Sequence, residues 1–106
     1  MINIVFYNDK DGALLGYKAS GHSKYAPQGE DIICAAVSSA TQMVANTITE
    51  IYNVNAQIII KDAVLSLKIS RKDAKMCNEI LLGLKLHLCQ LEEQYPKHIN
   101  VNYTEV

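Results

Sequence analysis

Apolar and polar residues are arranged along the chain in two ways, and each arrangement predicts a different kind of element. Short runs of β-branched and aromatic residues, or of apolar residues at every second position, are typical of strands. Apolar residues that recur at intervals of three and four are typical of helices. Strands are predicted over residues 2–7, 13–20, 57–60, 64–69 and 99–103. Helices are predicted over residues 31 to about 52 and 71 to about 94.

Turn-forming residues separate the members of the first and second pairs of strands, so each pair is expected to form a hairpin. The element order is therefore β-β-α-β-β-α-β, in one domain over residues 1–106. Hairpins that alternate with helices favour an α+β fold, a mixed sheet with two helices packed on it. In the fourth strand, the side chains expected to face water are Ser66, Lys68 and Ser70.

The second predicted helix is apolar over a wider arc than the single stripe that a surface helix needs. Its main apolar face comprises Met76, Cys77, Ile80, Leu81, Leu84, Leu88 and Leu91. Leu82, Leu86 and Cys89 fall outside that face. These additional apolar residues indicate either deep burial of the helix or a contact between subunits.

Composition and charge narrow the classes of function. The formal net charge of -1 gives no basic patch, so no nucleic-acid partner is expected. No apolar run is interpreted as long enough to cross a bilayer, so no membrane partner is expected. The first ten residues lack the basic-then-apolar pattern of a signal peptide. The protein is therefore expected in the cytoplasm.

The three cysteines argue against a disulfide framework, because they are an odd number in a compartment expected to be reducing. They are Cys34, Cys77 and Cys89, and none forms a C-x-x-C pair. Four ligands at the spacing of a structural zinc site are also missing from the sequence, so no metal is expected.

His22 and Cys34 stand at the two ends of a polar stretch that joins the second strand to the first helix. Thiolate is the reactive form of cysteine, and a helix start favours it because unpaired backbone N–H groups create a positive potential there. His22 is able to accept the thiol proton and then pair with the thiolate. The two residues therefore form a candidate catalytic pair.

Three neighbours are candidates for supporting roles in that chemistry. Asp31 is a candidate N-cap of the helix, or it orients His22, although a carboxylate close to sulfur would oppose the thiolate. Ala35 keeps side-chain bulk away from a site where backbone N–H groups would stabilise an oxyanion. Ser38 lies one turn after Cys34 and is expected on the same helix face.

The residues alone also allow structural interpretations of the same pair. A cysteine at a helix start is commonly a small buried hydrophobic residue, and a histidine at the end of a strand is commonly a surface residue. Cys77 and Cys89 lie in the apolar second helix, where a structural role is expected.

The stretch GHSKYAPQGEDIICAAVSSATQ, residues 21–42, resembles the signature of the Prp family of ribosomal-processing cysteine proteases. The matching elements are the Gly21-His22 pair, Gly29, and the run from Asp31 to Ser38. Ser23 stands where alanine is common in the family. Outside residues 21–42, the resemblance rests on chain length and on the order of elements.

The resemblance implies a cysteine endopeptidase with His22 and Cys34 as the catalytic pair. It also implies supporting or substrate-binding roles for Gly21, Gly29, Asp31, Ala35 and Ser38. The implied substrate is the N-terminal extension of protein twenty-seven of the large ribosomal subunit, cut after an aromatic residue so that ribosomes can assemble. The family is homodimeric, which agrees with the excess apolar surface of the second helix, and no metal or organic cofactor is implied.

Two other functions compete with the protease. A non-catalytic ribosome-assembly factor would bind a peptide at the same place without cutting it, and the intact His-Cys pair argues against this. A thiol redox sensor would need a resolving cysteine near Cys34, and the sequence offers none at close spacing.

Overall fold

The computed structural model describes residues 1–21 and 30–106, with only the backbone described at residues 30 and 31. Its strands are β1 Ile2–Asn8, β2 Leu14–Ser20, β3 Gln57–Lys61, β4 Val64–Lys68 and β5 Ile99–Glu105. Helix α1 spans Glu30–Asn46 and continues as a π-helical segment, Thr47–Ile51. Helix α2 spans Ala74–Gln94 and follows a 3-10 turn, Arg71–Asp73. The predicted order β-β-α-β-β-α-β is confirmed.

The five strands form one mixed sheet in the order β3-β4-β2-β1-β5. Strand β5 runs parallel to β1, and the other neighbouring pairs are antiparallel. Among the described residues, β3 and β5 are the edges of the sheet. The predicted α+β fold, with two helices packed on the sheet, is therefore confirmed.

The core lies between the helices and one face of the sheet. Alternate residues of the strands point into it, as the period of two requires. These side chains include Ile4, Phe6, Tyr17, Leu67 and Val101, and they pack in one cluster with buried residues of both helices. On the opposite face, the Lys68 ammonium lies 4.5 Å from the centre of the Tyr7 ring.

The prediction that Ser66 faces water is wrong, because this residue is buried. Strand β4 is an interior strand, with Lys18 of β2 and Ile59 of β3 as the neighbours of Ser66 on its two sides. These longer side chains flank the small serine and reduce its contact with water, whereas Lys68 and Ser70 are exposed as predicted.

The broad apolar face predicted for α2 is only partly correct. Cys77, Leu81, Leu84 and Leu88 are buried, and Ile80, Cys89 and Leu91 are partly buried against the same core. Met76 contradicts the prediction, because 59% of its surface is exposed in the first turn of the helix. The two leucines that fell outside the face are also exposed, Leu82 at 45% and Leu86 at 62%.

The expectation that the chain has no apolar run of membrane-spanning length is contradicted by residues 32–51. This 20-residue segment, Ile32–Ile51, is long and apolar enough to cross a membrane by length and composition, with a mean hydropathy of 1.3. Its inward residues Ile33, Val37, Val44 and Ile48 are buried in the core that the helix shares with the sheet. A core helix of this kind meets the same criterion of length and composition.

The turn between β1 and β2 is held by the buried carboxylate of Asp9. It accepts hydrogen bonds of 2.9 Å from the backbone N–H groups of Asp11 and Ala13. The Arg71 guanidinium donates a further bond to it, at 3.2 Å. The carboxylate therefore links the first hairpin to the segment that leads into α2.

Candidate active site

A groove with a volume of about 750 Å³ runs between α1 and the β3–β4 hairpin, on the face of the sheet that carries the helices. Residues of α1 form one wall, and the hairpin forms the other. Gly21, at the end of β2, and Cys34, near the start of α1, both line it. Ala35 and Ser38 line it as well. The groove therefore collects four of the residues singled out from the sequence.

Gly21 is required by the backbone at the end of β2. Its φ of +95° lies in the region that L-residues with a side chain rarely adopt. A Cβ atom at this position would also collide with the backbone carbonyl oxygen of Met1. The chain therefore turns out of the sheet here, directly before His22.

Cys34 is the fifth residue of α1 and is partly buried against the core. The first four N–H groups of an α-helix have no partner within the helix. In α1 these belong to residues 30–33, so donors without a partner inside the helix and the positive end of the helix dipole directly precede Cys34. This position favours a negative charge on the sulfur or on a ligand atom beside it.

Helix α1 starts one residue earlier than predicted, at Glu30. The backbone therefore places Asp31 as the second helical residue rather than as the N-cap. A carboxylate in the first turn is still favourable for the helix dipole, so the residue type suits the helix start in either position.

Gln42 was not singled out from the sequence, yet it belongs to the same wall of the groove. Cys34, Ser38 and Gln42 lie at intervals of four and line the groove together. The Gln42 Nε2 group donates a hydrogen bond of 2.9 Å to the Ser38 hydroxyl. The spacing of four from Cys34 and Ser38 was the signal in the sequence that would have identified it.

A buried hydrogen bond holds α1 on the sheet beside this wall. The Tyr17 hydroxyl donates to the backbone carbonyl oxygen of Thr41 at 2.6 Å. Burial raises the pKa of Tyr17 well above its ordinary value, so the phenol remains a donor at neutral pH. The Thr41 hydroxyl donates in turn to the Val37 carbonyl oxygen at 2.8 Å.

The other two cysteines lie on α2 and do not line this groove. Cys77 is fully buried, and burial followed by the nearby Asp73 carboxylate raises the pKa of its thiol. Cys89 is only partly buried, and its sulfur lies 3.5 Å from the Tyr103 hydroxyl. This hydrogen bond, with burial, raises the pKa of Tyr103 to about 12.

Two of the candidate residues, His22 and Gly29, lie outside the described residues, and so does the side chain of Asp31. The pairing of His22 with Cys34 therefore stays a prediction. Within the described part of the chain, no group of three or more His, Cys, Asp or Glu side chains is arranged to hold a metal ion.

Comparison with known proteins identifies both a family and a fold. The family model described as cysteine protease Prp matches residues 1–100. No match to the sequence is found among the curated proteins.

Two similar solved structures are of an essential ribosomal processing protease Prp from S. aureus. The structure in complex with a substrate peptide has a TM-score of 0.89 and 22% identity, and the match covers 98% of this chain and 100% of that one. The structure with a covalently linked product peptide has a TM-score of 0.84, 23% identity and the same coverage. SMU.848 from Streptococcus mutans has a TM-score of 0.81 and 23% identity, over 100% of this chain and 99% of that one. At these identities the likeness to the solved structures establishes the fold.

Proposed function

The chain belongs to the cysteine protease Prp family, and we propose that it is a cysteine endopeptidase with Cys34 as nucleophile and His22 as base. The observation that carries this proposal is the position of Cys34. It lies just after the first N–H groups of α1, which have no partner inside the helix, and it lines a groove about 750 Å³ in volume. A peptide in this groove has its backbone within reach of a cysteine that the helix start favours as thiolate.

The reaction proceeds by acylation and deacylation. The imidazole of His22 takes the thiol proton of Cys34, and the thiolate attacks the carbonyl carbon of the scissile peptide bond. His22 then donates the proton to the leaving amine, which departs as the peptide bond breaks and leaves a thioester on Cys34. Water gives a proton to His22 and attacks the thioester, which releases a carboxylate product and restores the thiol.

The oxyanion of each tetrahedral intermediate is stabilised by backbone N–H groups at the start of α1. Donors that are already oriented cost no reorganisation when the charge develops. Ala35 adds little bulk beside the sulfur, so a substrate carbonyl can approach. Gly21 lets the chain turn at the groove, and we assign Gly29 and Asp31 supporting roles for the catalytic pair. The mechanism uses side chains and backbone of this chain and calls for no metal or organic cofactor.

The substrate that fits the family is a ribosomal precursor. We propose that the protein removes the short N-terminal extension of protein twenty-seven of the large ribosomal subunit and cuts after an aromatic residue. The similar S. aureus protein is a ribosomal processing protease that was solved in complex with a substrate peptide, which supports this choice. We therefore propose that the protein acts in the cytoplasm, as one protease domain over residues 1–106.

A second copy of the chain is the partner proposed for α2. Leu82 and Leu86 are separated by one helical turn and are both substantially exposed. Leucines on one stripe of a helix are normally covered, and the commonest soluble oligomers are symmetric dimers, which would cover this stripe on both copies. We therefore assign this stripe to a symmetric dimer contact.

The proposed protease is tested by incubating the protein with the ribosomal precursor and measuring product masses. Cleavage after an aromatic residue, and its loss after prior treatment with iodoacetamide, is the expected result. The Cys89→Ala protein, which keeps Cys34, is the matched control, and iodoacetamide should abolish its cleavage as well. If the precursor binds but stays intact with the untreated protein, the chain is the non-catalytic assembly factor instead.

A further inference from the structure

Strands β2, β4 and β3, which all contribute residues to the groove, lie side by side in a fixed register. Ser20 of β2 pairs with Val64, which pairs with Lys61 of β3. Tyr17 pairs with Leu67, which pairs with Ile58. Because Gly21 follows Ser20 and lines the groove with Cys34, the Cys34 end of α1 lies toward Lys61.

The other end of the groove is located by the hydrogen bond between Tyr17 and Thr41. Since Gln42 follows Thr41 and also lines the groove, Gln42 lies toward Ile58. Cys34 to Gln42 spans about 12 Å at 1.5 Å per helical residue. Lys61 to Ile58 spans about 10 Å at 3.3 Å per strand residue. The two walls therefore match in length.

The hairpin wall presents apolar side chains at a spacing that suits an extended peptide. Ile58 and Ile60 point into the groove, whereas Ile59 points to the opposite face of the sheet. Ile60 is 75% exposed, an unusual degree for an isoleucine. The two groove-facing residues are about 7 Å apart along the strand, which equals the distance between alternate side chains of an extended peptide.

The α1 wall supplies polar groups opposite these isoleucines. Among the described residues, the Gln42 amide makes one side-chain hydrogen bond, to Ser38. An amide has two N–H donors and a carbonyl acceptor, so it retains groups for another partner. A peptide in extended form offers backbone N–H and C=O groups along its whole length. An apolar wall and a facing wall that carries polar groups suit such a peptide.

We propose that the residues preceding the scissile bond bind as an extended segment along this groove, from Cys34 toward Gln42, and that apolar side chains at alternate positions contact Ile60 and then Ile58. This proposal rests on the proposed protease function. We assign the groove to the residues before the cut because they belong to a short extension, which can enter a space between a helix and a hairpin. The residues after the cut lead into the body of a folded protein, which cannot.

The test uses synthetic peptides that span the precursor's cleavage site, with serine substituted at each position in turn. With the wild-type protein, kcat/KM should fall about tenfold or more at two positions before the cut that are two residues apart, and little at the position between them. In the Ile60→Ser protein one of these positions should lose its sensitivity. The matched control is Ile59→Ser, a neighbouring exposed isoleucine on the opposite face, which should keep the wild-type pattern.

Binding of the same fluorescein-labelled peptides to the Cys34→Ala protein, measured by anisotropy, separates this proposal from the protease itself. If the wild type cleaves nothing but the alternate pattern persists in binding, the groove proposal stands and the protease fails. The groove proposal is overturned if the sensitive positions are consecutive or lie only after the cut. It is also overturned if Ile60→Ser and Ile59→Ser have equal effects, or if the peptides do not bind.

Discussion

The Tyr17 hydroxyl of β2 donates a hydrogen bond of 2.6 Å to the carbonyl oxygen of Thr41 in α1, and both residues are buried. The bond joins a central strand of the sheet to the helix that carries Cys34. Because Thr41 lies between Ser38 and Gln42 along α1, the bond also holds the wall of the groove at a set distance from the sheet.

Tyr17→Phe should therefore lower stability by about 1 kcal/mol, the usual net contribution of one hydrogen bond. For a domain of this size, the melting temperature should fall by several degrees. Tyr52→Phe is the control, because the Tyr52 hydroxyl makes no hydrogen bond with a described residue. Thermal unfolding measures both variants. An equal loss of stability in the two would contradict the contribution assigned to the Tyr17 hydrogen bond.

The two members of the proposed catalytic pair should fail in different ways. Cys34→Ala should abolish cleavage but retain precursor binding, because the groove remains while the nucleophile is gone. His22→Ala should retain a trace of activity that rises with pH, because hydroxide increasingly replaces the missing base; general acid-base assistance is typically worth about 10²–10⁴-fold. Cleavage assays across pH, a binding titration and a melting curve measure this. Cleavage by a folded Cys34→Ala protein would show that the nucleophile is elsewhere.

The three cysteines should react with iodoacetamide at different rates. Cys34 should react first, because it is partly exposed at a helix start. Cys77 should react last, because it is fully buried and its thiol pKa is raised. Cys89, for which a structural role was expected, is only partly buried, and slow labelling is expected there. Mass mapping after brief treatment of the folded protein gives the order, and equal labelling of Cys34 and Cys89 would argue against an activated thiol.

The Asp9 carboxylate should make the free energy of unfolding depend on pH in the acid range. The pKa of its carboxyl lies below the ordinary value, mainly because the Ala13 N–H donates to it, with further help from Asp11 and Arg71. A lowered pKa in the folded state contributes stability above the unfolded value of about 3.9. That contribution is lost as pH falls through the folded pKa.

Urea unfolding between pH 7 and pH 3 should therefore show a smaller loss of stability for Asp9→Asn than for the wild type. Asp62→Asn is the control, since Asp62 is exposed in the β3–β4 turn and forms no ion pair with a described residue. If the free energies of unfolding of the wild type and Asp9→Asn fall in parallel with pH, Asp9 does not cause the acid dependence.

The dimer assigned to α2 should dissociate when charge is placed on its apolar stripe. Light scattering at micromolar concentration should give a dimer for the wild type and a monomer for Leu82→Glu or Leu86→Glu, because a buried unpaired carboxylate is costly. Met76→Glu should remain dimeric, since Met76 is exposed on a different side of the same helix. A monomeric wild type would leave the exposed leucines without a partner.

Local spacing along the chain was sufficient to predict the order of the elements and the position of Cys34 near a helix start. Periods of two and of three to four are properties of a strand or a helix by itself, so they can be counted before any tertiary contact is known. Gly21 was also recognisable, because a glycine at the end of a strand often supplies a backbone turn that other residues avoid.

Burial and adjacency were decided by the tertiary structure. Ser66 is buried because β4 lies between β2 and β3, and nothing in its own strand specifies those neighbours. Met76 is exposed although it fits the helical period, because its neighbour Cys77, one residue further along the same turn of α2, is the residue that faces the core. Gln42 joins the candidate site because α1 lies along the β3–β4 hairpin, an arrangement that depends on contacts between residues far apart in sequence. A sequence period states which residues share a face, whereas the packing of other elements determines what that face meets.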